Sequence, residues 1–494
     1  MPVPAIIVVL LVMLALAREQ WLFHQRPKES DEARARGDRA RARTILEDIL
    51  SKPALFGARS RSSVHARLAW SYLEDGRPHD AAEQARRSLD SRLHPAIESL
   101  HRLRLADCLE ACGETAEADR ERARAAQLAA NGPENAARLL AQGKTLRKAG
   151  RHADAIPVYE RAIALTDQSL PSVRAHLMVT LALSCWEAGR INQALRWAEQ
   201  ALALGPDLIH RTSAYSVSAL ALGSLGRLDE AEERWQLAYD VAEQAGNTIA
   251  AARYLASLAE VQRRRGRLLE AFQSCDRAAG MSLESRRAAK FAAFECYLTW
   301  GRLADAREML EQGARAQGFA IPASEIRIQA LTTMNRGLLA AEEGRFEEAL
   351  SRIEESRPVL ETDEKLGMTW HVMRAWIEAE RGNRADSEAS AQAATTLSIR
   401  MPDDRAAMLR YHTYLGRAAL AAGEVESALH HFESAMKLRP DPVEVPRAHY
   451  FLGECRRALG DVDGALTEWQ AAVDSGLDTR YVSLAKARLA KSAD

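Results

Sequence analysis

The chain has 494 residues, more than a single hydrophobic core normally serves, so it must hold several domains or a repeat array. Charged residues make up 27% of the chain and nearly cancel to a net charge of −1, while aromatic residues reach only 6%. This composition is typical of a water-exposed helical protein. It excludes a disordered chain, and it excludes general affinity for nucleic acid, which needs a sustained basic surface.

The first predicted element is an apolar run over residues 1–17, which carries no charged side chain. As a helix it would extend about 25 Å, slightly less than the ~30 Å hydrocarbon core of a bilayer. Basic residues follow the run and none precedes it, so the positive-inside rule favours an uncleaved transmembrane anchor with a cytoplasmic body. Arg18, Trp21 and Phe23 would then lie at the membrane interface, and we predict the anchor over residues 1–23.

A second interpretation of this N-terminus stays open. Ala15-Leu16-Ala17 resembles a signal-peptidase site, and cleavage after Ala17 would export the chain to the periplasm. After the anchor we predict a juxtamembrane segment and a degenerate first repeat over residues 24–58, in which no convincing leading helix is evident.

The rest of the chain repeats one short pattern, a glycine followed five residues later by alanine. It occurs twelve times at spacings of 35 to 43 residues, and only Ser387 replaces the alanine. The corner glycines are Gly37, Gly76, Gly113, Gly150, Gly189, Gly226, Gly266, Gly301, Gly344, Gly382, Gly423 and Gly460. Amphipathic helical segments flank each of them, so the pattern predicts a corner between two paired helices.

The stretch GRLDEAEERW, which begins at Gly226, illustrates the expected physics of the corner. Gly226 tolerates the left-handed backbone that ends the first helix. Ala231 lets the second helix lie close, and Trp235 fills the space between the two. Neither helix can bury its apolar stripe alone, so neighbouring pairs must stack.

The pattern resembles the tetratricopeptide repeat (TPR). The stretch YLGRAALAAGEVESALHHFESAMKLRPD matches the family pattern nearly in full, with Gly416, Ala428, Phe432, Ala435 and Pro440 at its positions. The resemblance implies an all-α, right-handed superhelical solenoid of about twelve helix-turn-helix repeats, preceded here by one transmembrane helix. We predict the array over residues 59–476 and a capping helix over residues 477–494.

No motif in the chain indicates catalysis. Walker loops, HExxH and G-x-S-x-G are missing, so we expect no enzymatic activity and no cofactor. His101, Cys108 and Cys112 share one helical face and belong to residue types that bind metals. A closed zinc site needs a fourth ligand and none is evident, so we expect these three residues to pack in the core and predict no metal.

Partner binding is therefore expected on the concave wall, which the first helices of the repeats would line. We selected aromatic and basic residues on these helices that point away from the paired helix, because such residues dominate binding hot spots. The candidates are Trp70, Arg147, Lys148, Trp186, Arg263, Trp376, Arg417 and Tyr450, and Arg264 and Arg410 belong to the wider set. Some of these positions could instead pack between repeats.

These features predict a scaffold that recruits protein partners at the inner membrane and binds no nucleic acid. The layout resembles bacterial envelope-assembly regulators that carry an N-terminal anchor and a cytoplasmic TPR body, although this chain lacks their CxxC module. Two alternatives stay open: an exported periplasmic assembly factor and a ligand-responsive TPR regulator.

Overall fold

The structure is a computed structural model. It describes residue 18 and residues 21–35, 38–52, 58–93, 95–131, 136–166, 171–206, 208–281, 286–316 and 322–493. Of the anchor predicted over residues 1–23, residues 1–17, 19 and 20 lie outside these ranges. Within them, no helix is both long and apolar enough to cross a bilayer.

The described ranges form α-helices joined by short turns. A π-helical turn, Trp21–Gln25, comes first. The first twelve helices are α1 Arg26–Ala35, α2 Arg39–Ser51, α3 Ala58–Glu74, α4 Pro78–Arg87, α5 Pro95–Ala111, α6 Thr115–Asn131, α7 Ala136–Lys148, α8 His152–Ala164, α9 Pro171–Glu187, α10 Ile191–Ala203, α11 Leu208–Leu225 and α12 Leu228–Gln244.

The remaining helices continue the same alternation, and a 3-10 turn, Pro442–Glu444, precedes α23. They are α13 Thr248–Arg264, α14 Leu268–Met281, α15 Arg286–Trp300, α16 Leu303–Arg315, α17 Pro322–Glu342, α18 Phe346–Leu360, α19 Glu364–Glu380, α20 Arg384–Ser398, α21 Arg405–Ala421, α22 Val425–Lys437, α23 Val445–Ala458, α24 Val462–Asp474 and α25 Arg480–Ala493.

The predicted corners are confirmed wherever the structure describes them. Eleven of the twelve corner glycines have positive φ, and the twelfth, Gly37, lies outside the described residues. At Gly226 the amide N–H donates to the Gly223 carbonyl at 3.1 Å, and the next amide, of Arg227, donates to Leu222 at 2.9 Å. This is the Schellman arrangement that ends a helix on a left-handed residue.

Each corner joins the two helices of a pair, and successive pairs stack along the chain. At the Gly226 corner, the two residues predicted to set the distance between the paired helices are buried: Ala231 is fully buried and Trp235 is only 5% exposed.

The expectation that the first corner lacks a leading helix was wrong, because α1 packs against α2 there. The low apolar content of α1 hid it from the periodicity of the sequence.

The array coils back on itself. Helix α11 touches α21, α13 touches the 3-10 turn, and α15 touches α25. Corner glycines of the earlier coil receive side chains of the later coil: a Cβ at Gly266 would lie 2.7 Å from Leu477 Cδ2, and one at Gly301 would lie 2.9 Å from Arg480 Cβ. The all-α solenoid is thus confirmed, and the coil-back encloses space on its axis.

Candidate functional site

An axial cavity that is partly open to solvent lies where the two coils meet, and its volume is about 240 Å³. The first helices of five successive repeats, α13, α15, α17, α19 and α21, supply most of its wall. The 3-10 turn, α23 and the segment leading into α25 complete it. Because first helices face the axis of such a stack, the cavity is built from side chains that repeat packing leaves free.

Charged side chains dominate the axial cavity, and several are paired with one another. Arg263 donates two hydrogen bonds to the Glu260 carboxylate at 2.7 and 2.8 Å and a third to Thr299 at 2.9 Å. Burial alone would lower the pKa of Arg263, but Glu260 outweighs it and holds that pKa well above its usual value. Arg447 forms an ion pair with Glu444.

Two charged side chains of the axial cavity, Glu295 on α15 and Arg410 on α21, are not paired. Neither makes a side-chain hydrogen bond, or an ion pair within 4.0 Å, to any residue that the structure describes. Burial raises the pKa of Glu295, and the neighbouring Arg263 offsets this only in part. The cavity therefore presents one free carboxylate and one free guanidinium group.

Ion pairs between the two coils enclose the axial cavity. Asp441 accepts hydrogen bonds from Arg264 at 2.7 Å and from Arg405 at 2.8 Å. Glu342 binds both Arg417 and Arg480. The Arg264–Asp441 pair spans 177 residues of the sequence and the Glu342–Arg480 pair spans 138, so the coil-back brings these two pairs together.

The axial acids were missed because the sequence was searched for aromatic and basic residues. Glu260 and Glu295 each lie six residues before a corner glycine, which is the position of Trp70, Trp376 and Arg417 in their own repeats. The repeat register alone would have placed the two carboxylates on the axis, whatever their chemistry.

The predicted groove residues fall into different environments. Arg263 lines the axial cavity, and so do Arg264 and Arg410 of the wider set. Trp70 lines a separate hollow of about 610 Å³ nearer the N-terminus, where its indole N–H donates to Glu74 at 2.6 Å. The structure therefore does not gather the candidates into one site.

Arg147 and Trp186 contact other parts of the chain. Arg147 forms an ion pair with Glu187 at 3.1 Å. Trp186 donates to Ser224 at 3.0 Å, and Lys365 lies 4.3 Å from the centre of its ring. The side chain of Lys148 lies outside the described residues.

The structure corrects the placement of Trp376 and Arg417, which do not face an open groove. Trp376 is 1% exposed, and the Arg417 guanidinium carbon lies 3.5 Å from the centre of its ring. Arg417 is 9% exposed and also binds Glu342 at 2.5 Å. Repeats stack tightly enough here to bury both side chains, so the packing interpretation holds at these two positions.

The last predicted groove residue, Tyr450, is partly buried, and its ring lies 5.7 Å from that of Tyr481. Of the three predicted interface residues, Arg18 is exposed and Trp21 is 51% exposed. Phe23 is instead 2% exposed, in an apolar cluster that includes Leu46.

The three metal-type residues that share a face in the sequence are buried or partly buried. The Nδ1 atom of His101 lies 3.2 Å from the Ser88 carbonyl oxygen, and Cys108 is fully buried in an apolar cluster. Cys112 packs against the same cluster, and among the described residues its ligand atom and those of His79 and Glu114 lie within 4.8 Å of one another.

Comparison with known proteins agrees with this architecture. One family model described as tetratricopeptide repeat matches residues 118–170, 140–209 and 415–477, and a second model of the same description matches residues 62–87 and 330–355. No curated protein sequence matches the chain.

Solved structures with similar folds have low sequence identity to this chain. A Rap protein complexed with Competence and Sporulation Factor is 12% identical and covers 72% of this chain and 98% of its own, at a TM-score of 0.50. The APC/C hetero-tetramer Cut9-Hcn1 is 13% identical over 97% of this chain and 98% of its own, at a TM-score of 0.44. The described part of the chain is an all-helical solenoid, and the segments that the family models match carry tetratricopeptide repeats.

Proposed function

We propose that the chain is a non-catalytic binding protein that recruits a protein partner through the axial surface of its repeats. The observation that carries the proposal is the unpaired charge in the axial cavity, where Glu295 and Arg410 have no partner in the described chain. Glu295 is partly buried, so it gains more from a ligand of opposite charge than an exposed group would, and Arg410 is exposed and accessible to such a ligand.

The similar Rap protein supports this proposal at the level of the fold. Its structure was solved as a complex with Competence and Sporulation Factor. A solenoid of this kind therefore tolerates a bound partner, although low identity allows no residue of that complex to be transferred to this chain.

We also propose that residues 1–17 hold the protein at the inner membrane, with the repeats on the cytoplasmic side. The support is the uncharged apolar run and the basic residues that follow it. Protease treatment of intact spheroplasts tests on which side of the membrane the repeats lie. If they are cytoplasmic, a C-terminal tag should resist digestion in intact spheroplasts and be digested after lysis. A tag that is digested in intact spheroplasts would instead support export.

A second candidate function, a ligand-responsive regulator, is favoured by the way the axial cavity is enclosed. The ion pair of Asp441 with Arg264 joins the two coils beside the cavity, and Arg405 of the later coil binds the same carboxylate. An occupant of the cavity would contact both coils and change the free energy of their association, which is the requirement for a regulatory shift. Hydrogen exchange of the coil contacts with and without the partner separates this candidate from a passive scaffold.

The experiment for the leading proposal is affinity purification from detergent-solubilised membranes, followed by identification of the bound proteins. We expect Arg410→Ala to lose the specific partner, because Arg410 is exposed to the axis and makes no ion pair with any described residue. The matched control is Arg384→Ala on the second helix α20, whose side chain is 66% exposed. A partner retained by both variants would contradict the axial placement.

A further inference from the structure

The two unpaired charges of the axial cavity differ from the other charges around them. Arginines bind the remaining acids of the wall: Glu260 pairs with Arg263, Glu444 with Arg447, Asp441 with Arg264 and Arg405, and Glu342 with Arg417 and Arg480. Among the charged side chains that line the cavity within the described ranges, only Glu295 and Arg410 are not bound to another described side chain.

The environment of Glu295 makes an isolated carboxylate costly. Burial raises its pKa, so the charged form is disfavoured until a cation reaches it. Arg263 lies nearby, but its guanidinium group is already bound to Glu260 and Thr299. A cationic group supplied from outside the chain would relieve this cost.

The environment of Arg410 is complementary. Arg410 lies on α21, across the cavity from the helices that carry Glu260 and Glu295. Its charge is one of several that lower the pKa of these two carboxylates. Its side chain is exposed, whereas Arg263 is largely buried. A guanidinium group in this setting is suited to bind a carboxylate through two parallel hydrogen bonds.

The size of the cavity limits its occupant. Its volume is about 240 Å³, and it is partly open to solvent. That space accepts one long side chain with a short piece of extended backbone, and it is smaller than the usual pocket for a drug-sized ligand, which starts at about 300 Å³.

We propose that the axial cavity binds a polypeptide segment that places one basic side chain against Glu295 and a carboxylate against Arg410. The proposal rests on the partner-binding function and specifies the chemistry that the partner must offer. Recognition then depends on an opposite-charge pair in the ligand, so a wholly acidic or a wholly basic segment would leave one cavity charge unpaired.

The test uses the full-length protein and an array of acetylated, amidated hexapeptides in an alanine and serine background. Each carries one arginine and one glutamate, and together they cover every spacing in both orders. Matched peptides replace the arginine or the glutamate by glutamine, and a third set with free C-termini distinguishes a terminal carboxylate from a side-chain carboxylate. Binding is measured to the wild type, Glu295→Gln, Arg410→Gln and the control Arg384→Gln.

We expect at least one spacing to bind the wild type, and loss of its arginine to weaken that binding about tenfold or more. The same peptide change should have little effect on Glu295→Gln, while Arg410→Gln should lose its dependence on the peptide carboxylate. Circular dichroism and thermal unfolding check the fold, and Glu295→Gln is expected to remain folded because it removes a poorly solvated charge.

The proposal is wrong if no hexapeptide depends on its arginine, or if Glu295→Gln keeps that dependence. The partner-binding function is judged separately, by the proteins that co-purify with the full chain. If Arg410→Ala loses those proteins but no peptide depends on its arginine, only the proposed pairing of opposite charges with Glu295 and Arg410 is refuted. An absence of any specific co-purifying protein would refute the function itself.

Discussion

Arg264 Nε lies 2.7 Å from Asp441 Oδ2, although 177 residues separate the two positions in the chain. Asp441 is 4% exposed and also accepts a hydrogen bond from Arg405. Burial would raise the pKa of Asp441, but the two arginines keep it below its usual value. This carboxylate therefore joins the two coils beside the axial cavity.

Asp441→Ala should destabilise the protein by about 3 kcal/mol, because it leaves two poorly solvated arginines without their acceptor. Hydrogen exchange should accelerate first in α13 and at the start of α21, where the coils meet. Urea unfolding gives the magnitude, with the exposed Arg384→Ala as a control that should change stability by less than about 0.5 kcal/mol. Equal stability of the two variants would contradict the structural role of Asp441.

The same substitution at two helical glycines should have opposite effects. A Cβ at Gly416 would lie 2.8 Å from Phe432 Cζ, whereas one at Gly280 would have no neighbour within 4 Å. Gly416→Ala should cost about 1–3 kcal/mol through overpacking. Gly280→Ala should stabilise the protein by about 0.5–1 kcal/mol through helix propensity. Thermal unfolding of both variants measures the two effects. Unfolding temperatures that shift in the same direction would contradict the prediction.

His152 should make the stability of the array depend on pH above neutrality. Its Nδ1 atom lies 3.0 Å from Glu187 Oε2, and its Nε2 atom lies 3.8 Å from Asp363 Oδ2. Burial alone would lower the pKa of His152, but the carboxylates of Asp363 and Glu187 outweigh it and raise the pKa to about 9. Arg147 faces Glu187, and Arg327 faces Asp363.

The direction of this pH dependence of stability follows from the raised pKa of His152. In the unfolded chain histidine titrates near 6.5, so the stabilisation is fully present below about pH 6.5 and is lost as the pH rises through about 9. We expect the wild type to lose on the order of 1–2 kcal/mol relative to His152→Asn between about pH 6.5 and 9.5. Urea unfolding across this range measures the difference, and parallel curves for the two proteins would exclude the mechanism.

Trp376→Ala should unfold part of the array rather than remove a binding contact. The side chain is fully packed against Tyr414, Phe346 and Arg417. Truncation should cost about 3–5 kcal/mol through lost burial and the cavity that it leaves. Loss of helical signal at lower temperature in circular dichroism is the expected result. A variant with unchanged stability and lost partner binding would instead support an open-groove position for Trp376.

The fold was largely predictable because its determinants are local. A left-handed glycine, a small residue five positions later and an apolar stripe on each side act within about 30 residues, and they recur at each corner. The leading helix α1 was missed because it lacks such a local pattern. Its sequence, RPKESDEARA, is mostly polar and gives little helical periodicity to detect.

The candidate site was predictable only in part. The register placed Arg263 and Arg410 on the axis, and the structure lines the cavity with both. The repeat register could not show that Trp376 is buried, because the burial of this side chain depends on how tightly neighbouring repeats stack. The search for hot-spot residue types also passed over Glu295, although this residue occupies an axial position of its repeat.

The amino-acid sequence by itself determined that this protein is a chain of paired helices, because each corner needs only its own residues to form. The tertiary structure alone decided which charges are paired and which stay free. Pairs such as Arg264 with Asp441 depend on small rotations that accumulate over many repeats until the array meets itself. No single repeat encodes that sum, and the unpaired Glu295 and Arg410 are visible only after it is complete.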